Sequence, residues 1–200
     1  MIKNLKDAIR HRRTYYFISN KSEVPDKEIE DIIDFAVTNV PSAFNSQSTR
    51  VVLLLGENHR ILWNIVKDTL RKIVPVDAFA ATEQKIDGSF APGYGTVLFF
   101  EDMDVVRGLQ EAFPGYKDNF PKWSQQTSAM HQYVVWTMLE DVGFGASLQH
   151  YNPLIDKEVK QIWDLPDSWE LVAQMPFGVP VQGPGEKEFK PLSDRVKVFK

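Results

Sequence analysis

Three short stretches of this 200-residue chain carry side chains that could do chemistry. The first is Arg10-His11-Arg12-Arg13-Thr14. Three guanidiniums and a hydroxyl in five residues suit a phosphate dianion, because arginine offers a planar fork of charged donors and threonine a compact neutral one. A plainer reading stands beside it, a solvated helix end whose cations complement the negative end of the helix dipole. The second stretch is Pro41-Ser42-Ala43-Phe44-Asn45-Ser46-Gln47-Ser48. Its two amides, spaced i and i+2, each donate and accept, so they can read the edge of a planar heterocycle. The same residues are equally competent as a helix-capping turn. The third stretch, Gly143-Phe144-Gly145-Ala146-Ser147-Leu148-Gln149-His150-Tyr151-Asn152, offers a Gly-x-Gly that suggests close backbone approach to a ligand. A helix precedes it and a strand follows, the reverse of a dinucleotide fingerprint. A helix cap, a core strand and a polar loop would explain it too.

Other chemistries drop out. The chain has no cysteine, which removes disulfides, thiolate metal sites, iron–sulfur ligation and thiol nucleophiles together. Redox chemistry would have to come from a bound cofactor. The 4 histidines, at 11, 59, 131 and 150, lack ligand spacing, so no metal is expected. Glu101, Asp102 and Asp104 read as the acidic end of a strand and the caps of the next helix, in preference to a cation site. Neither a nucleophile elbow nor a nucleotide phosphate loop occurs. With 23 basic and 27 acidic residues the net charge is -4, which disfavours a broad nucleic-acid-binding face. No run nears the roughly 20 apolar residues of a membrane span, and the charged N-terminus is unlike a signal peptide. A cytoplasmic protein is expected.

The elements that must position these stretches can be read from periodicity. Helices are expected over about residues 2–12 (Ile2, Leu5, Ile9), from Pro25 through Ala36, and over 58–73. A further helix over 124–141 carries Met130, Val134, Met138 and Val142 and is capped at Gly143, and another runs from Pro153 to 163. Strands are expected over 50–55, 96–101, 145–148 and 169–175. Nothing divides the chain, so residues 1–200 form one domain. The segment after Pro180 reads as an extended arm. Helices alternating with isolated strands imply a layered α+β or α/β sandwich.

In this order, the segments resemble the FMN-dependent nitroreductase family. Arg12-Arg13-Thr14 is similar to that family's Arg-[Arg/His]-[Ser/Thr] motif, which holds the FMN phosphate. Pro41-Ser42-Ala43-Phe44-Asn45-Ser46-Gln47 is similar to its Pro-Ser-x-x-Asn-x-Gln motif, which lines the flavin. More narrowly, Phe44-Asn45-Ser46-Gln47-Ser48, the run from Gly93 to Asp102, the run from Phe144 to Asn152, and Asp194-Arg195-Val196-Lys197-Val198 resemble the fatty-acid-repression-mutant branch.

The resemblance implies an α+β, three-layer sandwich with a central, mostly antiparallel sheet flanked by helices. It also implies a homodimer, with the C-terminal arm exchanged between subunits and two FMN sites at the interface. The implied enzyme uses NADH or NADPH to reduce nitroaromatic or quinone-type acceptors by a ping-pong mechanism. Carried onto this chain, Arg12, Arg13, Thr14 and Arg195 would bind the phosphate. Ser42, Asn45 and Gln47 would contact the isoalloxazine or ribityl chain. Lys85 would supply the cation near the pyrimidine end, where it favours reduced, anionic flavin. Tyr16, Gln149 and His150 complete the cofactor-binding set as departures. Tyr16 stands where many relatives have lysine or arginine, and Gln149-His150 stands where the wider family often has Glu-Gly. No side chain is assigned a catalytic role, since hydride delivery needs alignment and no protein nucleophile. The alternative is a flavin-binding regulatory or stress-response module linked to lipid signalling, with incidental reductase activity.

Overall fold

The computed structural model describes residues 4–200. Its helices are α1 (Leu5–His11), α2 (Asp26–Asn39), α3 (Glu57–Arg71), α4 (Val76–Ser89), α5 (Met103–Ala112), α6 (Phe120–Asp141) and α7 (Asp156–Ile162). The strands are β1 (Ile18–Ser19), β2 (Thr49–Leu55), β3 (Gly95–Asp102), β4 (Gly145–Ala146) and β5 (Trp169–Pro180). The sheet runs β1-β5-β3-β2, with β4 also on β5, and all its strand pairings are antiparallel. The expected α+β class and three layers are therefore observed.

Alternation along β3 builds the layers, because successive side chains of a strand point to opposite faces. Val97 and Phe99 meet Ile29, Ile32 and Ala36 of α2 and Val135 and Leu139 of α6. Leu98 and Phe100 meet Leu62, Trp63 and Val66 of α3, Ile86 of α4 and Val159 of α7. Fully burying each of these side chains stabilises the fold by about 1.5–3 kcal/mol before entropy is charged against it.

Several boundaries differ from the sequence expectation. Ile2, the first residue of the expected opening helix, lies outside the described residues. Helix α4 and the two-residue β1 were not expected at all. Helix α7 starts at Asp156, after a turn, and not at Pro153. Strand β4 is only two residues long, whereas β5 runs on to Pro180 through Pro176. The Gly143-Phe144-Gly145 run serves packing. Gly143 adopts φ 96° just past α6, and a Cβ on Gly145 would meet the Tyr15 ring at 2.7 Å and Pro180 at 2.8 Å. Of the acidic trio, Asp102 caps α5 by accepting the Asp104 amide, while Glu101 turns inward.

Helix α6 corrects the largest misreading. Its buried face is Ser124, Thr127, Ser128, His131, Gln132, Val135 and Leu139, whereas Met130 of the expected stripe is exposed and Val134 and Met138 only half-buried. Several of the buried polar groups are satisfied within the helix. Thr127's carbonyl takes His131 Nδ1–H at 2.9 Å, Gln132 donates to Ser128 Oγ at 3.1 Å, and Ser124 donates to the Pro121 carbonyl at 3.0 Å. That self-satisfaction lets polar residues occupy a core face.

A second buried histidine sits in a relay across the other layer. Trp63 Nε1–H donates to Thr96 Oγ1 at 3.0 Å. The Thr96 hydroxyl then gives its proton to His59 Nδ1 at 2.9 Å, and His59 Nε2–H donates to the Ala91 carbonyl at 3.2 Å. Burial lowers the pKa of both His59 and His131 below the ordinary 6.5. Both stay neutral in the folded chain and protonate in the unfolded one. Their stabilising contribution is present above about pH 6.5 and drains away as pH falls through the folded values. Thermal melts should accordingly show a falling Tm between about pH 7 and 5; a Tm flat across that window would contradict neutral burial of the two rings.

Candidate functional site

Arg12 leaves the end of α1 and lays its guanidinium over two rings of α6, 4.4 Å from the Trp136 centroid and 5.7 Å from that of Tyr133. Stacking fixes the plane of the fork. Among the described residues, the buried Arg12 Nε–H meets no acceptor. Next to it, Arg13 donates to the Gly185 carbonyl at 2.6 Å, tying the C-terminal arm to this cluster. Thr14 bridges to Ala146, and the Tyr15 amide donates to the Ala146 carbonyl at 3.0 Å, so β4 holds the segment in place. This is a cationic cluster with a hydroxyl, suited to an anionic group.

Tyr16 and Lys85 come from distant elements to the same ring. Tyr16, half-exposed, has its ring centroid 6.3 Å from that of Phe90, and Lys85 Nζ lies 5.9 Å above Phe90. Phe90 is itself packed on Trp63 and Tyr151. Gln149 pairs through its backbone with Gln174 and donates its amide to Ser147 Oγ at 3.0 Å, while His150 is exposed. Arg195 is exposed on the arm, ten residues beyond its anchored Gly185, just after the turn Leu192–Asp194. The structure thus holds the run Arg12-Arg13-Thr14 beside β4 and, separately, brings Tyr16 and Lys85 to Phe90. No hydrogen bond or ion pair among the described residues links Arg195 to either group.

The amide-bearing loop stands at another place on α6. Ser42 Oγ accepts the Gln47 amide at 2.9 Å, closing a turn in which Phe44, Asn45 and Gln47 all have left-handed φ, at 57°, 51° and 49°. Asparagine tolerates that region, but phenylalanine and glutamine rarely adopt it, and each such residue costs on the order of 1–3 kcal/mol. Phe44 is held in a cage of Phe113, Tyr116, Phe120 and Trp123, with centroids 4.9–6.0 Å away. No hydrogen bond among the described residues engages the side-chain amides of Asn45 or Gln47, both of which are exposed. A cavity of about 430 Å³ opens here, between Ser42, Phe44, Trp123, Gln126 and Met130. That volume suits a small organic molecule. A larger one, about 730 Å³, lies at the opposite end of β2 and β3 and is lined by none of the expected site residues.

What joins the two places is an outward stripe of α6. Trp123, Gln126, Met130, Tyr133 and Trp136 recur every three or four residues and share one side of the helix. From Trp123 to Trp136 is roughly 20 Å at about 1.5 Å per residue. An elongated ligand with an anion at one end and a planar ring at the other would follow it. Sequence reading missed this stripe, the Phe44 cage and the Phe90 platform. Only the three-to-four-residue aromatic spacing within α6 could have flagged the first, and no pattern announces a phenylalanine at positive φ.

The model of the nitroreductase family matches residues 9–179. The chain belongs to the nitroreductase family. Members are oxidoreductases, and this nitroreductase keeps the family's fold throughout. It is 34% identical over 190 residues to the nitroreductase FRM2 of Saccharomyces cerevisiae, covering 93% of each chain. The solved nitroreductase CinD of Lactococcus lactis in complex with 4-nitrophenol superimposes with a TM-score of 0.88 at 43% identity, over 98% of this chain and 100% of that one. The same protein solved with chloramphenicol matches with a TM-score of 0.88 at 42% identity, over the same shares. Among the described residues no cluster of metal-ligating side chains occurs, and no helix is long and apolar enough to cross a membrane.

Proposed function

We propose that this nitroreductase is an FMN-dependent oxidoreductase that draws on NADH or NADPH to reduce nitroaromatic or quinone-type acceptors by a ping-pong mechanism. The observation that carries it is the pairing, along one side of α6, of a cationic cluster with a strained loop that presents two free amides. The residues fit the cofactor, because the buried Arg12 Nε–H lacks an acceptor that a phosphate would supply. Bound FMN would supply the hydride and electron chemistry that no side chain of a cysteine-free protein can.

The chain's own residues do the rest. Arg12, Arg13 and Thr14 would grip the phosphate, joined by Arg195 from an arm that Arg13 already tethers. Ser42, Asn45 and Gln47 would orient the ring and ribityl chain. Lys85 and Tyr16, both on Phe90, would stand at the polar end of the ring with Gln149 and His150, where a fixed cation offsets negative charge. Phe44 and Trp123 would give the acceptor an aromatic wall and exclude water from it.

The proposal includes a homodimer in the cytoplasm. Phe35, Met130, Tyr133, Phe189, Leu192 and Phe199 are exposed large apolar residues on α2, α6 and the arm that a second copy would cover. Protein purified in the presence of FMN should elute at twice the chain mass. It should show flavin absorbance between roughly 350 and 500 nm and oxidise NADH or NADPH when a nitroaromatic such as 4-nitrophenol is added. A colourless protein that takes up no added FMN would sink the proposal. Bound flavin without turnover would favour the regulatory module instead.

A further inference from the structure

A fully buried carboxylate stands behind the strained loop and takes no part in the chemistry above. Glu101 lies on β3 directly across from Thr49 of β2. Its two oxygens are divided between neighbouring hydroxyls, Ser48 Oγ donating to Oε2 and Thr49 Oγ1 to Oε1, both at 2.6 Å. Among the described residues no cation pairs with it directly; Arg50 instead donates to Asp102 Oδ2 at 3.0 Å and to the Gln47 carbonyl at 2.7 Å. The Asp102 amide donates to the Ser48 carbonyl at 2.9 Å. The ties from the C-terminal end of the loop to the sheet run to Glu101, to Asp102 or through Arg50.

A buried carboxylate held only by neutral donors is a costly way to fill space, and an apolar side chain would fill it more cheaply. Burial pushes its pKa up, with the two hydroxyls and the charge of Arg50 pulling the other way. What the carboxylate does that an apolar group cannot is to fix two successive hydroxyls, and so the backbone at residues 48 and 49. That fixture is what a loop with left-handed Phe44, Asn45 and Gln47 requires, because such a conformation persists only where its surroundings over-determine it. The aromatic cage holds the loop at Phe44 and Ser42 Oγ holds it across the turn, while Glu101, with the Asp102 amide and Arg50, joins it to the sheet.

We propose that Glu101 is a positioning residue, whose carboxylate clasps Ser48 and Thr49 to the sheet and thereby sets how the preceding loop presents Asn45 and Gln47. The consequence for cofactor binding rests on the reading of that loop as flavin-facing; the clasp itself does not.

The test uses the full chain with and without FMN. Amide hydrogen exchange over residues 43–48 of the FMN-free protein reads the clasp, and flavin fluorescence titration with visible circular dichroism reads its effect on the ligand. Glu101→Ala is expected to speed exchange in the loop by about tenfold or more while exchange in β3 and β5 away from the site stays at wild-type rates. FMN affinity should fall by about tenfold, with an altered visible dichroism. Glu101→Gln, which accepts one hydroxyl and donates to the other, should restore loop exchange and affinity to within about threefold of wild type. Should Glu101→Ala fail to fold, Ser48→Ala removes a single donor and is expected to move the same readouts in the same direction. Wild-type exchange over the loop in either variant, or acceleration spread evenly through β3 and β5, overturns the positioning role. If wild-type protein binds no FMN, the flavin reading falls on its own and the exchange data alone decide the clasp.

Discussion

Replacing Arg12 with alanine should raise the dissociation constant for FMN by about 10- to 100-fold. The estimate follows from leaving a phosphate charge without its partner in a partly buried site, about 1–3 kcal/mol, with each 1.4 kcal/mol counting as tenfold. Trp136 and Tyr133 hold the guanidinium by its face, so its edge is free to present donors in a fixed plane. The buried, unpartnered Nε–H makes Arg12 the most demanding member of the cluster. Arg13 already spends one donor on the Gly185 carbonyl. Arg12→Lys should recover only part of the loss, because an ammonium carries the charge without the planar fork. Fluorescence titration of the apoprotein checks both variants. Unchanged affinity in Arg12→Ala would remove this residue from the phosphate site.

The second large effect is on stability. Trp63→Ala should cost about 3–5 kcal/mol, since a large fully buried aromatic side chain leaves a cavity that its neighbours cannot close. For a chain of this size that corresponds to a Tm lowered by about 6–20 °C. Trp63 packs 4.9 Å from Phe90 and edge-on to Tyr151 at 5.9 Å, and its indole N–H donates to Thr96. Trp63→Phe keeps most of the ring but drops that donor, and should cost only about 1–2 kcal/mol. Differential scanning calorimetry separates the two. A Trp63→Ala melt indistinguishable from wild type would contradict the packing described. The same deletion should also loosen Lys85 and Tyr16, which both rest on Phe90.

The parts of this fold that the sequence disclosed are those where one force dominates. The apolar run 50–55 placed β2 to within one residue, and the Ile29, Ile32, Ile33, Ala36 spacing placed the start and buried face of α2, though it runs three residues past Ala36 to Asn39. Helix α4 escaped because only Ile86 and Ser89 of its fourteen residues are buried, so no stripe marks it. The inner face of α6 was assigned to the wrong side because Ser124, Thr127, Ser128 and His131 look like surface residues, and the backbone bonds that make them tolerable leave no trace in spacing. At the site, the residue types of the first two stretches disclosed a cationic, anion-binding cluster and an amide pair. The resemblance, and not the spacing, suggested Lys85. Glu101 was read as an end cap because three acidic residues in a row of four usually are. Its inward turn depends on which hydroxyls lie across the strand, and that is a tertiary fact.

Strand β5 is the longest in the sheet and lies between β3 and β1, yet it is the last strand in the chain. During synthesis, β1 to β4 and the seven helices leave the ribosome before the strand that completes the sheet exists. Until Trp169 to Pro180 follow, β3 has an open edge carrying Val97, Leu98, Phe99 and Phe100. An exposed edge of that kind templates pairing with other chains. The nascent chain therefore carries this open edge from the completion of β3 until β5 follows, and a chain cut short before residue 169 is a candidate for aggregation. One cut after Pro180 keeps every strand, and loses only the arm.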